Sequence, residues 1–185
     1  MGKSDFHIHY VSTLDEAAEL INDHDEFWVC NCGCREAREK CARSRIDVCL
    51  FFQGEGGFSG SGHRKITRAQ ADRILKEAID KKLVARPFRN DKKRDEIDGI
   101  CFCCDDCCAY FLDPEEECDK GKFVERTDLV NCEACGACVE LCYFKARKVA
   151  KERLRIIAEK CYGCGLCVGA CPNECIEMVP RSGSK

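Results

Sequence analysis

Apolar residues recur at helical spacing in two stretches of the chain. Leu14, Ala17, Ala18, Leu20 and Ile21 follow Thr13, an N-cap residue type, and Asp15 and Glu16 fall in the first turn. They predict a helix that Asn22-Asp23-His24-Asp25 stops. Ala71, Ile74, Leu75, Ala78 and Ile79 mark a second helix, opened by a capping box of Thr67 and Gln70 and closed by Lys81-Lys82. Leu83-Val84-Ala85-Arg86-Pro87-Phe88 reads as a short strand, and Phe27-Trp28-Val29 and Gly99-Ile100 read as two more. Alternation along such strands would bring Cys30, Cys32 and Cys34 to one face, and likewise Cys101 and Cys103. Gln53 to Gly62 is glycine- and serine-rich and reads as a loop.

Composition adds one decisive fact. The chain has 185 residues, a formal net charge of -3 and 20 cysteines. No apolar run approaches the roughly 18 residues of a membrane span. Met1-Gly2-Lys3-Ser4-Asp5 runs into His7 and His9 without an apolar signal segment, and Phe6 stands where a myristoylation motif wants Ser or Thr. The thiols are therefore expected in a cytoplasmic, reducing setting, where this density favours metal over disulfide. Charge is uneven. Residues 63–100 hold twelve basic against seven acidic side chains, and 105–128 hold three against nine. Opposite patches suggest either docking surfaces or packing of one on the other. A capped helix followed by a basic strand is also what the second half of a winged helix looks like.

The strongest motif occurs twice, 29 positions apart. Cys132-x2-Cys135-x2-Cys138-x3-Cys142 returns as Cys161-x2-Cys164-x2-Cys167-x3-Cys171-Pro172. Two-residue gaps let three thiolates curl around one face of an inorganic cubane, and Gly136 and Gly165 allow close approach and unusual dihedrals. Zinc also uses Cys-x2-Cys pairs and is the bland alternative. Over residues 124–180 the pattern resembles the bacterial-type two-cluster ferredoxins. The resemblance implies a ββ-plus-helix pseudo-repeat, with strands at Phe123-Val124-Glu125, Arg155-Ile156-Ile157 and Cys175 to Val179. It implies one [4Fe-4S] cluster on Cys132, Cys135, Cys138 and Cys171 and another on Cys161, Cys164, Cys167 and Cys142, the fourth ligand crossing between runs. Tyr143 replaces the expected proline after the first run, and Cys175 is surplus, a buried structural thiol by default.

Ten cysteines upstream form a second set of candidate ligands: Cys30, Cys32, Cys34, Cys41, Cys49, Cys101, Cys103, Cys104, Cys107 and Cys108, with Cys118 nearby. They flank the cysteine-free helix and are expected to converge on a shared inorganic site. The layout resembles cysteine-rich N-terminal extensions of ferredoxin-like proteins from anaerobes. The Cys-Cys pairs are similar to those of heterodisulfide reductase subunits, except that Asp105 follows Cys104 where those have glycine. One or two further iron–sulfur clusters, a zinc site, and redox thiols all remain open. Cys32, Cys34, Cys41 and Cys49 are one candidate grouping, the cysteines of 101–108 contain another, and a mixed set is equally compatible. Arg35, Arg38, Lys40, Arg43 and Arg45 interleave with these cysteines, either to offset thiolate charge or as a solvated basic face. His7 and His9 are weaker metal candidates. His63-Arg64 denies the glycine loop a phosphate-binding lysine, and no dinucleotide fingerprint follows a strand.

The reading is an α+β protein in two parts. Residues 1–120 form a small cysteine-rich α/β metal or cluster module, with a winged-helix-like arrangement as one option. Residues 121–185 form a two-cluster ferredoxin domain. The expected function is transfer of single electrons between a low-potential donor and a partner enzyme, with docking at acidic residues 113–119 and no membrane or nucleic-acid partner. One alternative is an iron–sulfur enzyme or enzyme subunit whose N-terminal cluster does sulfur or disulfide chemistry. Another is a redox-sensing DNA binder built on residues 63–90.

Overall fold

A computed structural model describes residues 7–55, 59–113 and 115–182. The leading Met1–Phe6, the middle of the glycine-rich loop (56–58), Pro114 of the acidic stretch and residues 183–185 lie outside the described residues. The first part of the chain is built on two capped helices. α1 (Leu14–Asn22) begins at a capping box in which the Thr13 hydroxyl accepts the Glu16 amide and the Glu16 carboxylate accepts the Thr13 amide. α3 (Arg68–Asp80) begins at the equivalent box of Thr67 and Gln70, with the Thr67 amide donating to Gln70 Oε1 at 2.8 Å. Both boxes satisfy amides that the first helical turn leaves without partners.

The apolar stripes of these helices cover an antiparallel sheet of five strands in the order β3-β1-β2-β5-β4. The strands are β1 (Phe27–Cys30), β2 (Cys49–Phe51), β3 (Arg64–Ile66), β4 (Val84–Arg89) and β5 (Ile97–Cys103). Ala17 and Ile21 of α1 and Ala71, Ile74 and Ala78 of α3 share one core with Phe27, Val29, Leu50, Ile100 and Phe102. Thr67→Ala is expected to cost about 1 kcal/mol. That should lower the melting temperature by roughly 2–4 °C in a chain of this size, without changing metal content. Thermal unfolding of both proteins followed by circular dichroism measures the difference.

One expectation is corrected here. β1 stops at Cys30, and α2 (Gly33–Arg38) starts two residues after Asn31, so Cys34 stands on a helix and not on the face of a strand. Arg35, Glu36, Ala37 and Arg38 are good helix formers, and they end the alternation that the cysteine spacing suggests. Cys101 and Cys103 do sit two apart on β5, paired through their register with Arg86 and Val84 of β4.

The second part is a pair of ribbons. β6 (Phe123–Thr127) pairs antiparallel with β9 (Ile176–Pro180), and β7 (Arg147–Ala150) with β8 (Arg153–Ile156). Moved by 29 positions, β6 falls on β8 and β7 on β9, the same offset that relates the two cysteine runs. The backbone follows the offset as well. Ala134 and Gly163, Gly136 and Gly165, and Lys145 and Glu174 all have positive φ, and each pair lies 29 apart. At Gly163 the requirement is also steric, since an added Cβ would stand 2.2 Å from the Phe123 carbonyl oxygen.

The two parts share a core. Residues 10–12 run as an extended segment between them: the Tyr10 and Ser12 amides bond the Pro87 and Ala85 carbonyls, and the Val11 amide bonds that of Asp119. Val11 and Val84 pack with Tyr143 and Leu166, and the Tyr143 hydroxyl donates to the Lys82 carbonyl at 2.9 Å. No helix among the described residues is long and apolar enough to cross a membrane.

Candidate metal centres

The two C-terminal cysteine runs close around two cavities. One is lined by Cys142, Cys161, Cys164 and Cys167, with Phe144, Tyr162 and Met178. The other is lined by Cys132, Cys135, Cys138 and Cys171, with Leu154, Pro172 and Ile176. In each, three cysteines come from one run and the fourth from the other. α5 (Ala137–Glu140) and its counterpart turn after Gly165 carry the crossing: the amides of Cys142 and Cys171 bond the carbonyls of Val139 and Val168, each at 3.1 Å.

The lining suits an anionic, sulfur-ligated group. The Ala146 amide donates to Cys142 Sγ at 3.2 Å, and the Leu166 amide to that of Cys164. Such N–H···S bonds stabilise thiolate ligands and tune the cluster they hold. Burial, the largest influence on both, pushes the Cys164 and Cys167 thiols up to about 12, so occupation by a metal must displace their protons. The surplus Cys175 also lines the second cavity, its Sγ 3.3 Å from that of Cys171, which makes five thiols there.

Arg147, which the cysteine spacing does not single out, lines the cavity of Cys142, Cys161, Cys164 and Cys167. Burial opposes its charge, and Coulombic interaction with Cys167, Glu125 and Cys138 outweighs that and raises its pKa. Its guanidinium pairs with Glu125 Oε2 at 2.7 Å and with Thr127 Oγ1 at 2.7 Å.

The ten upstream cysteines divide into two groups, both mixed from the two candidate segments. Cys41 Sγ lies 3.6 Å from Cys104 Sγ, which lies 3.5 Å from Cys107 Sγ. The other seven form a continuous chain of thiol contacts. Cys30 and Cys32 touch Cys49, whose Sγ is 4.0 Å from that of Cys101. Cys32 also touches Cys34, Cys34 touches Cys108, and Cys108 touches Cys103. The pairing of β2 with β5 and the approach of α2 to α4 (Ala109–Leu112) make these meetings; the Ala109 amide donates to Cys34 Sγ at 3.5 Å. Cys118 is buried beside Arg86 at the edge of this group.

Two buried arginines serve the two groups. Arg86 Nη1 lies 3.5 Å from Cys108 Sγ and 3.8 Å from Cys103 Sγ, and its guanidinium stacks 4.1 Å from the Tyr110 ring centre. Cys103 is held down to about 7, chiefly by its hydrogen bond with Cys108, with burial opposing and Arg86 assisting. Arg35, 2% exposed, lies against Cys107 in the other group. His9 is set into the sheet side of the seven-thiol group, its Nε2 3.8 Å from Cys101 Sγ, and burial followed by Arg86 lowers its pKa to about 4. His7 binds Asp119 and Glu117 instead of thiols.

The surface charges sort themselves too. Of the basic residues in 63–100, Arg64 pairs with Asp47 and Lys65 with Glu26, Arg68 caps α1 through the Ile21 and His24 carbonyls, and Arg86 is internal. Arg64, Lys65, Arg73, Lys76, Lys81, Lys92, Lys93 and Arg94 are exposed, with Lys76 and Lys93 paired locally to Asp80 and Glu96. In the acidic stretch, Glu117 and Asp119 bind His7, and Asp119 also takes Arg89 at 2.8 Å. Asp113, Glu115 and Glu116 are exposed. Asp113 and Glu116 border a surface depression with Tyr110, Phe111, Leu112 and Phe144.

Residues 154–177, which carry the second cysteine run, match the family described as 4Fe-4S binding domain. Over 60 residues the chain is 40% identical to a component of the ion-translocating oxidoreductase complex of Methanosarcina acetivorans, covering 32% of this chain and 23% of that relative. The chain thus spans under a quarter of the length of the curated relative it matches. Together the two similarities support an iron–sulfur, ferredoxin-like segment with an electron-transfer role.

Proposed function

We propose that the chain is a multi-cluster electron carrier that relays single electrons from a low-potential donor to a partner enzyme. The observation that carries this reading is the crossed lining of the two cavities, each with three cysteines of one run and one of the other, and Cys175 in addition in the second. Cys161, Cys164, Cys167 and Cys142 would hold one [4Fe-4S] cluster, and Cys132, Cys135, Cys138 and Cys171 the other. When bound, these clusters supply reversible one-electron redox chemistry. The protein's own part is to hold them, exclude water and set their surroundings. Leu166, Tyr162, Phe144 and Met178 dry one cavity, and Leu154 and Ile176 the other. Arg147 sets a positive charge near both.

Residues 121–185 would be the two-cluster domain and 1–120 a cysteine-rich module packed against it. Access for a partner is supported at the acidic depression. Phe144 borders both that depression and the Cys142 cavity, so a partner docked there is separated from the site by one aromatic layer. Tyr110, Phe144 and Tyr162 continue the packed aromatic layer inward to Arg86 and the seven-thiol group. A basic-faced redox protein or complex component fits Asp113, Glu115 and Glu116, consistent with a relative named as part of an oxidoreductase complex. The test is stopped-flow electron transfer from the reduced chain to a cationic acceptor, cytochrome c. Glu115→Lys with Glu116→Lys should slow the second-order rate by about tenfold at low salt and flatten its salt dependence. An unchanged rate would move docking elsewhere, and a chain that accepts no electrons from reduced viologen would contradict the function itself.

A further inference from the structure

We propose that Cys41, Cys104 and Cys107 form a three-thiolate site for one thiophilic divalent ion, zinc or ferrous iron, that joins the α2–β2 connection to the turn after β5. The spacing sets this trio apart from the cluster cavities. Its three sulfurs lie within 4.8 Å of one another, with two of the separations 3.6 and 3.5 Å. A tetrahedral ion with metal–sulfur bonds of about 2.3 Å has ligand edges of about 3.8 Å. Thiolates on a cubane each bind a different iron and stand further apart. The trio therefore frames a single ion.

The surroundings point the same way. Cys104-Asp105-Asp106-Cys107 is a Cys-x2-Cys turn whose Asp106 amide donates back to Cys104 Sγ. On the other segment the Arg43 and Ser44 amides donate to Cys41 Sγ. Donors on both loops are what charged sulfur requires. The loops are also fastened to each other without the ion: Arg43 pairs with Asp105 at 2.8 Å, and the Ala42 amide bonds Asp106 Oδ2 at 2.8 Å. Arg35 supplies the charge argument. It is buried, donates to the Arg45 and Phe102 carbonyls, leaves its Nε without a partner, and has the thiols of Cys107, Cys41 and Cys32 as its neighbouring acids. Three thiolates on a divalent ion carry one net negative charge, which Arg35 balances. Three neutral thiols would leave a buried guanidinium without a counter-charge, a costly arrangement.

This site stands independently of the cluster reading. Zinc, iron and acid-labile sulfide are measured per chain on anaerobically purified full-length protein, in wild type and in the Cys41→Ala and Cys104→Ala variants. The expected result is about one zinc, or about one iron in excess of sulfide, in wild type, lost in both variants while sulfide stays constant. Loss of iron and sulfide in equal amounts would overturn the single-ion assignment, and unchanged metal would show that the thiols bind none. If the variants fail to fold, X-ray absorption on the unaltered chain decides. Zinc, or iron in excess of sulfide, should sit in a sulfur shell at about 2.3 Å. Zinc without sulfur neighbours, or iron equal to sulfide with no zinc, would refute the site.

Discussion

Replacing Cys142 and Cys164 together by alanine is expected to remove about four irons and four sulfides, no more than either replacement alone. The structure puts both cysteines on the same cavity although they belong to different runs. If each run instead wrapped its own cluster, Cys142 would belong with Cys132, Cys135 and Cys138, and the double variant would lose about eight of each. Non-additivity of this kind marks groups that act as one unit. The choice of cysteines avoids the other cavity, where Cys175 lies 3.3 Å from Cys171 and offers a replacement thiol. Iron and sulfide analysis of the three variants gives the answer directly.

The second large effect is expected at Arg147. Its ion pair with Glu125 is buried on both sides, the side chains being 1% and 7% exposed. Arg147→Met removes one partner and strands the carboxylate, a change that costs about 3–5 kcal/mol. In a chain of this size that corresponds to a fall of roughly 10 °C in melting temperature. Arg147 is also a positive charge acting on Cys167 and Cys138, so its removal should make cluster reduction harder and shift the potentials downward. Adding Glu125→Gln should restore much of the stability, and because Glu125 lines the same cavity, its neutralisation should also bring the potentials part of the way back. Unchanged potentials in Arg147→Met would contradict the arginine's electrostatic role, and an unchanged melting temperature would contradict the buried pair.

What can be read in the sequence divides by range. The two cysteine runs are local patterns, and the offset between them also relates β6 to β8 and β7 to β9. β7 is the strand that the motif alone does not reveal, yet Arg147-Lys148-Val149-Ala150 is the counterpart of Ile176-Glu177-Met178-Val179 one repeat earlier. Shifting the sequence onto itself finds it. The capped helices are equally legible, since Thr13–Glu16 and Thr67–Gln70 declare themselves within four residues. The N-terminal thiols are not. Cys41 meets Cys104 across 63 positions, and Cys49 meets Cys101 across 52, only because β2 pairs with β5. Strand pairing is set by the whole hydrophobic pattern and leaves no mark at the cysteines themselves. Arg35 and Arg86 read as ordinary members of basic stretches for the same reason. Their burial follows from tertiary packing, with Arg35 under the sheet's Phe102 and Arg86 on β4 facing the thiols of β5 and α4.

The most direct test of the central claim is the iron and acid-labile sulfide content of the unaltered chain, purified without oxygen and read beside its paramagnetic resonance after dithionite reduction. Two crossed cysteine cavities predict at least about eight irons and eight sulfides per chain, with two reduced clusters in the spectrum. Fewer than about eight irons in fully loaded protein, or zinc in their place, would contradict it.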